Sequence, residues 1–205
     1  MTALPGKRRF WAYAASFGAL WGAFEALLGV FLHALQVPFT GLMLASLGCL
    51  ILAAQRRVAP WAGISLMTGL IAGFCRAITP STALLGPLIG IVTEALLVEL
   101  AFLLLGRGML GAVFGGFLAA LWSISQGLVV KVILYGAPVV ELAVSMAEKL
   151  LGWVGLTVSS GIWAVATLFG LIGLVGAVAG GLGSRMGRSL VRYREELMAS
   201  RGDSP

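Results

Sequence analysis

Ionisable and amide side chains inside long apolar runs are costly to bury, so where they occur they point to binding or transport chemistry. Glu25, Glu94 and Glu99 are three such carboxylates, and Arg76, Gln126 and Lys131 accompany them. Glu94 and Gln126 are read as the polar lining of a ligand pocket, with Arg76 and Lys131 supplying positive charge and Trp122 a stacking face. The alternative reading of the same groups is mutual pairing that only stabilises the ends of helices. Glu99 follows Glu94 by five residues, a helical rotation of about 500°. The two cannot share one narrow face, so Glu99 is expected to bond a neighbouring helix or Glu25. His33 and Gln36 close the first apolar run and are expected near the headgroups.

The elements that would position these groups are membrane helices. The chain has 205 residues, 60% of them hydrophobic and only 11% charged, with a mean hydropathy of +1.02. A soluble domain carries about 25% charged residues. This composition excludes a disordered chain, a secreted disulfide scaffold and a nucleic-acid binder. It defines an all-α, multi-pass membrane protein. Apolar runs extend over residues 10–35, 40–54, 61–76, 88–105, 109–135 and 153–182, which gives six spans. The body is read as residues 10–183, between a basic N-terminus (1–9) and a basic tail (184–205).

Charge supports that count. With the N-terminus inside, Lys7, Arg8, Arg9, Arg56, Arg57, Arg107, Arg185, Arg188, Arg192, Arg194 and Arg201 fall on inner segments, and Arg76, Lys131 and Lys149 on outer ones. This is the positive-inside bias, and it places both termini in the cytoplasm of an inner (plasma) membrane protein. Between spans five and six, residues 139–152 carry Glu141, Ser145, Glu148 and Lys149 on one helical face and Leu142, Met146 and Leu150 on another. That is the spacing of a short amphipathic surface helix. By depth, the polar groups gather in the outer half of the spans, and the inner half reads as apolar. A cavity open outside and sealed below is the expectation.

Catalytic motifs do not emerge. A single histidine excludes a His-Glu-x-x-His zinc site, the only aspartate is Asp203, and no Walker loop is present. The chain is read as non-enzymatic, without metal or cofactor. Cys49 and Cys75 are expected at different depths and unbridged. On the first span Ala15, Ala19 and Ala23 repeat every four residues beside a parallel stripe of Gly18, Gly22 and Ala26, which lets a helix backbone approach closely. The glycine-rich last span (Gly170, Gly173, Gly176, Gly180, Gly181) is a candidate internal partner.

Taken together, six spans, cytoplasmic ends, the alanine stripe and outward polar groups resemble the substrate-binding S components of energy-coupling factor (ECF) transporters. The resemblance covers residues 10–183 and rests on architecture and this one stripe. It implies capture of a vitamin or related micronutrient from outside, followed by association with a transmembrane coupling subunit and ATPase subunits. By the same resemblance Ala15, Ala19 and Ala23 form the docking surface, the pocket involves Glu94, Gln126 and Lys131, and the turn around Gln36–Gly41 acts as a lid. The N-terminal metal arm of cobalt and nickel members is missing, so a metal substrate is not expected. The alternatives are a stand-alone ion- or proton-coupled carrier using Glu25, Glu94 and Glu99, and a membrane scaffold protein.

Overall fold

The computed structural model describes residues 6–37, 39–78, 85–153, 155 and 161–200. They form seven helices: α1 (Gly6–Ala34), α2 (Thr40–Val58), α3 (Ile64–Ala77), α4 (Leu85–Leu105), α5 (Met109–Tyr135), α6 (Ala137–Trp153) and α7 (Gly161–Ser200). Five of them, α1, α2, α4, α5 and α7, are long and apolar enough to cross a membrane. The chain is an all-helical, multi-pass membrane protein. The third expected span, α3, has 14 residues, about 21 Å of helix against a hydrocarbon core of about 30 Å.

Six helices close a ring in the order α1, α3, α4, α5, α7, α2, and α2 leans inward to touch all the others of the ring. Close contacts give the directions: α1 and α3 run side by side in the same direction, as do α2 and α7, whereas α5 and α7 run opposite ways. Gly18 of α1 lies against Thr68 and Ile71, and Gly22 against Ala72 and Cys75. The tightest approach joins α5 to α7, where a Cβ on Gly176 would overlap the Gly116 carbonyl and one on Gly180 the Ala112 carbonyl. The glycines of the last span therefore serve α5 rather than α1. The stripe on α1 divides accordingly: Gly18 and Gly22 are buried against α3, while Ala15, Ala19 and Ala23 face outward, exposed.

Gly176→Ile forces the α5 and α7 backbones apart and is expected to lower the melting temperature of the detergent-purified protein by more than 10 °C. The same change at Gly170, where an added Cβ meets no atom within 4 Å, is expected to shift it by under 2 °C, in keeping with the small effect of substitutions away from tight packing.

Two boundaries differ from the sequence expectation. The second helix does not end at residue 54 but continues through Gln55 and Arg56, both buried. Burial of Arg56 is possible because a carboxylate neutralises it, as described below. The last apolar run does not begin at Trp153, which ends α6 and is exposed. Instead α7 starts at Gly161 and runs unbroken for 40 residues into the basic segment, about 60 Å at 1.5 Å per residue. Helix α6 is amphipathic as expected, but its seated face differs. Ala147 and Leu151 pack against Ala164, Val165 and Leu168 of α7, leaving Leu142 and Met146 exposed.

The alternation of helices gathers the basic segments at one end of the bundle. Phe10, next to Lys7–Arg9, stacks edge-on against Trp61, beside the end of α2. Arg107 lies within electrostatic range of Arg56, and Arg57 donates to Ser184 Oγ of α7 at 2.9 Å.

Candidate functional site

A cavity of about 320 Å³ lies at the opposite end of the bundle from these basic segments. Four helices build it. Helix α1 contributes Glu25, α2 contributes Gly41, Leu44 and Ala45, α4 contributes Gly86, Pro87, Gly90, Ile91 and Glu94, and α5 contributes Ser123 and Gln126. Each group follows helical spacing. Gly86, Gly90 and Glu94 are four residues apart along one face of α4, and Ser123 and Gln126 are three apart on α5. The two small residues at Gly86 and Gly90 open the space that Glu94 looks into, and Pro87 is tolerated because it sits in the first turn of its helix.

Glu25 and Glu94 are buried, at 5% and 6% exposure, and close enough to feel one another's charge. Glu25 accepts a hydrogen bond from Trp21 Nε1 at 3.2 Å. Trp21 is itself completely buried, its ring filling the room left by Gly48 and Gly69. Glu94 makes no hydrogen bond or ion pair among the described residues. Gln126 Nε2 donates to the Gly86 carbonyl at 2.8 Å, and its Oε1 is buried without a donor. Ser123 Oγ donates to the Ala120 carbonyl at 2.9 Å.

The structure thus brings together three of the polar residues singled out in the sequence: Glu25, Glu94 and Gln126. Others lie elsewhere. Arg76 is buried near Glu25 without touching it, and its Nη1 has no partner. Trp122 is half-buried, with its indole N–H unpartnered, and does not line the cavity. Lys131 is exposed and also off the cavity. Gln36 is exposed in a left-handed turn with φ 52°, and the side chain of His33 lies outside the described residues. The turn it belongs to reaches the site through Gly41, and Thr40 Oγ1 ties it down by donating to the Val37 carbonyl at 2.7 Å. The α2 wall was missed in the sequence because a run of small residues on a marginal span carries no chemical signal of its own.

Glu99 belongs to a second polar cluster at the basic end of the bundle, and this corrects the expectation of an apolar inner half. Its Oε1 lies 3.1 Å from Arg56 Nη2 and accepts from the Gly63 N–H at 2.7 Å, while Oε2 accepts from the Ser65 N–H at 3.0 Å. Glu99 therefore caps the start of α3 and neutralises Arg56, which also donates to the Trp61 carbonyl. It does not contact Glu25. Next to it, Gln55 and Thr68 exchange hydrogen bonds at 2.6 and 3.0 Å. These polar groups and the buried ring of Trp21 make up part of the interior at the basic end, which is therefore not hydrocarbon alone.

No protein-family model, curated protein or solved structure matches the chain.

Proposed function

We propose that this protein is the substrate-capturing membrane subunit of an importer, binding a small micronutrient in the cavity and passing it on with the help of partner subunits. The observation that carries the reading is the lopsided bundle: a cavity lined by two buried carboxylates at one end, and the Arg56–Glu99 ion pair with its hydrogen bonds at the other. A through-channel would need polar lining along its whole length, whereas a receptor needs only one open end. The cavity lies at the lower limit of volumes typical for small-molecule sites.

In this reading α3 crosses together with the five longer helices, its shortness made up by the segment at Ala59–Gly63 and by the flanking helices. The basic end faces the cytoplasm of an inner membrane, following the positive-inside rule, and the cavity faces out. Ala15, Ala19 and Ala23 present an exposed path on α1 that no helix among the described residues covers, the surface a coupling subunit linked to ATPases would need. The resemblance to ECF S components supplies that partner class. Helix α6, with Leu142 and Met146 turned outward, rests in the outer headgroup layer.

The test is binding of vitamin-sized compounds by the purified protein, followed by uptake in cells. Glu94→Gln and Gln126→Ala are expected to weaken binding at least tenfold. Ala19→Trp is expected to abolish uptake while leaving ligand affinity within twofold, because it blocks docking and not the cavity. Equal loss of affinity in Ala19→Trp, or unchanged affinity in both cavity variants, contradicts the reading. A second reading is favoured by the shared cavity of Glu25 and Glu94: a proton-coupled carrier that works alone. Glu99, held in its ion pair, takes no part in such a relay. Uptake by liposomes containing only this chain under a pH gradient separates the two.

A further inference from the structure

We infer that the cavity selects a small organic cation with N–H donors, a protonated amine or amidine carried on a compact apolar body. This assignment rests on the capture reading and narrows its substrate class. Its basis is the direction in which each polar group of the cavity is fixed. One N–H of Gln126 goes to the Gly86 carbonyl, and its buried Oε1 has no donor. Ser123 spends its proton on Ala120, leaving oxygen lone pairs toward the space. One oxygen of Glu25 is taken by Trp21 and the other is open. Glu94, 94% buried, has no donor at all among the described residues. Each of the four polar groups therefore holds an unfilled acceptor, and a ligand rich in N–H donors complements them all.

Charge gives the same answer independently. Two carboxylates line the cavity, and no lysine, arginine or histidine is among its lining residues. The nearest cation is Arg76, which lies beside Glu25 outside the lining and leaves Glu94 uncompensated. A ligand bearing a carboxylate or phosphate meets like charge in a desolvated site, which is strongly unfavourable. A bare inorganic ion answers the charge but not the space. The cavity holds about ten times the roughly 30 Å³ that one water occupies in the liquid, and Leu44, Ala45 and Ile91 line much of it. The apolar part of an organic cation fills that volume, while its nitrogen sits between Glu25 and Glu94 and directs one N–H to Gln126 Oε1.

Three probes of equal shape test this on the full-length purified protein: benzamidinium, benzamide and benzoate. Benzamidinium is expected to bind at least tenfold more tightly than benzamide, with no binding of benzoate, measured by calorimetry or by thermal stabilisation. Glu94→Gln is expected to erase the preference for the cation, while Glu141→Gln, an exposed change on α6, leaves it intact. Glu25→Gln is expected to weaken the preference as well; should it fail to fold, Glu94→Gln alone decides, since Glu94 makes no hydrogen bond or ion pair among the described residues. Tighter binding of benzoate or benzamide, stabilisation by sodium, magnesium or calcium ions with no effect of benzamidinium, or a cation preference unchanged in Glu94→Gln would each overturn the assignment. If a neutral or anionic micronutrient binds in the cavity instead, capture stands and only the cation assignment falls. If no small molecule of any charge binds, capture itself fails.

Discussion

Glu99→Ala is expected to destabilise the bundle by about 3–5 kcal/mol, the range seen when one partner of a buried ion pair is removed. The size follows from what Glu99 does at once. It neutralises Arg56, whose side chain is only 2% exposed, and it accepts from two backbone N–H groups at the start of α3. Those donors have no helical partner of their own, and a negative charge beside them also suits the helix dipole. Removing the carboxylate strands a guanidinium and uncaps a helix in the same step. Arg56→Met with Glu99→Leu removes both charges and is expected to recover part of the loss but not all, because the Gly63 and Ser65 N–H groups stay unsatisfied. Thermal unfolding of the three proteins in one detergent checks the order: wild type, then the double variant, then Glu99→Ala. A Glu99→Ala protein as stable as wild type would show that the pair contributes nothing.

Trp21→Ala is expected to cost a further, independent 3–5 kcal/mol or so, as for other large aromatic deletions from a core. Trp21 is wholly buried in the core, and the ring occupies the space where a Cβ on Gly48 would stand. The same residue also positions Glu25 through its indole N–H. Trp21→Phe separates the two roles: most of the packing remains, the hydrogen bond is lost, and ligand affinity is expected to fall several-fold with a smaller change in stability. If Trp21→Phe binds ligand like the wild type, Glu25 does not depend on that bond for its orientation.

Much of the fold is legible in the sequence because a bilayer imposes a length on apolar runs. The fifth run, residues 109–135, coincides with α5, and the first, third and fourth differ from their helices by a few residues. What the sequence hid was neutralised charge. Arg56 beside Arg57 reads as a loop, and only the three-dimensional meeting with Glu99, 43 residues away, makes its burial affordable. For the cavity, depth was a good guide to Glu94 and Gln126, but depth says nothing of azimuth. Lys131 follows Gln126 by five residues and is rotated about 140° off its face, the relation that separates Glu99 from Glu94. Applied to α5, that geometry would have removed Lys131 from the pocket. The spacing of Gly86, Gly90 and Glu94 was equally readable as a face hollowed out beside a carboxylate. The contribution of α2 was not, since its inward lean depends on every other helix of the ring.

A receptor of this kind requires the cavity and the basic end of α7 to face opposite sides of the membrane. In a background with Cys49→Ala and Cys75→Ala, single cysteines can be placed by Gly86→Cys, at an exposed position on the cavity wall where an added Cβ meets nothing within 4 Å, and by Arg192→Cys, exposed near the end of α7. Labelling with a membrane-impermeant maleimide in intact cells and in inverted vesicles reads the side of each. The expected result is modification of Gly86→Cys only in intact cells and of Arg192→Cys only in inverted vesicles. Modification of both from the same side, or of Gly86→Cys from both sides, would contradict a cavity closed toward the basic end.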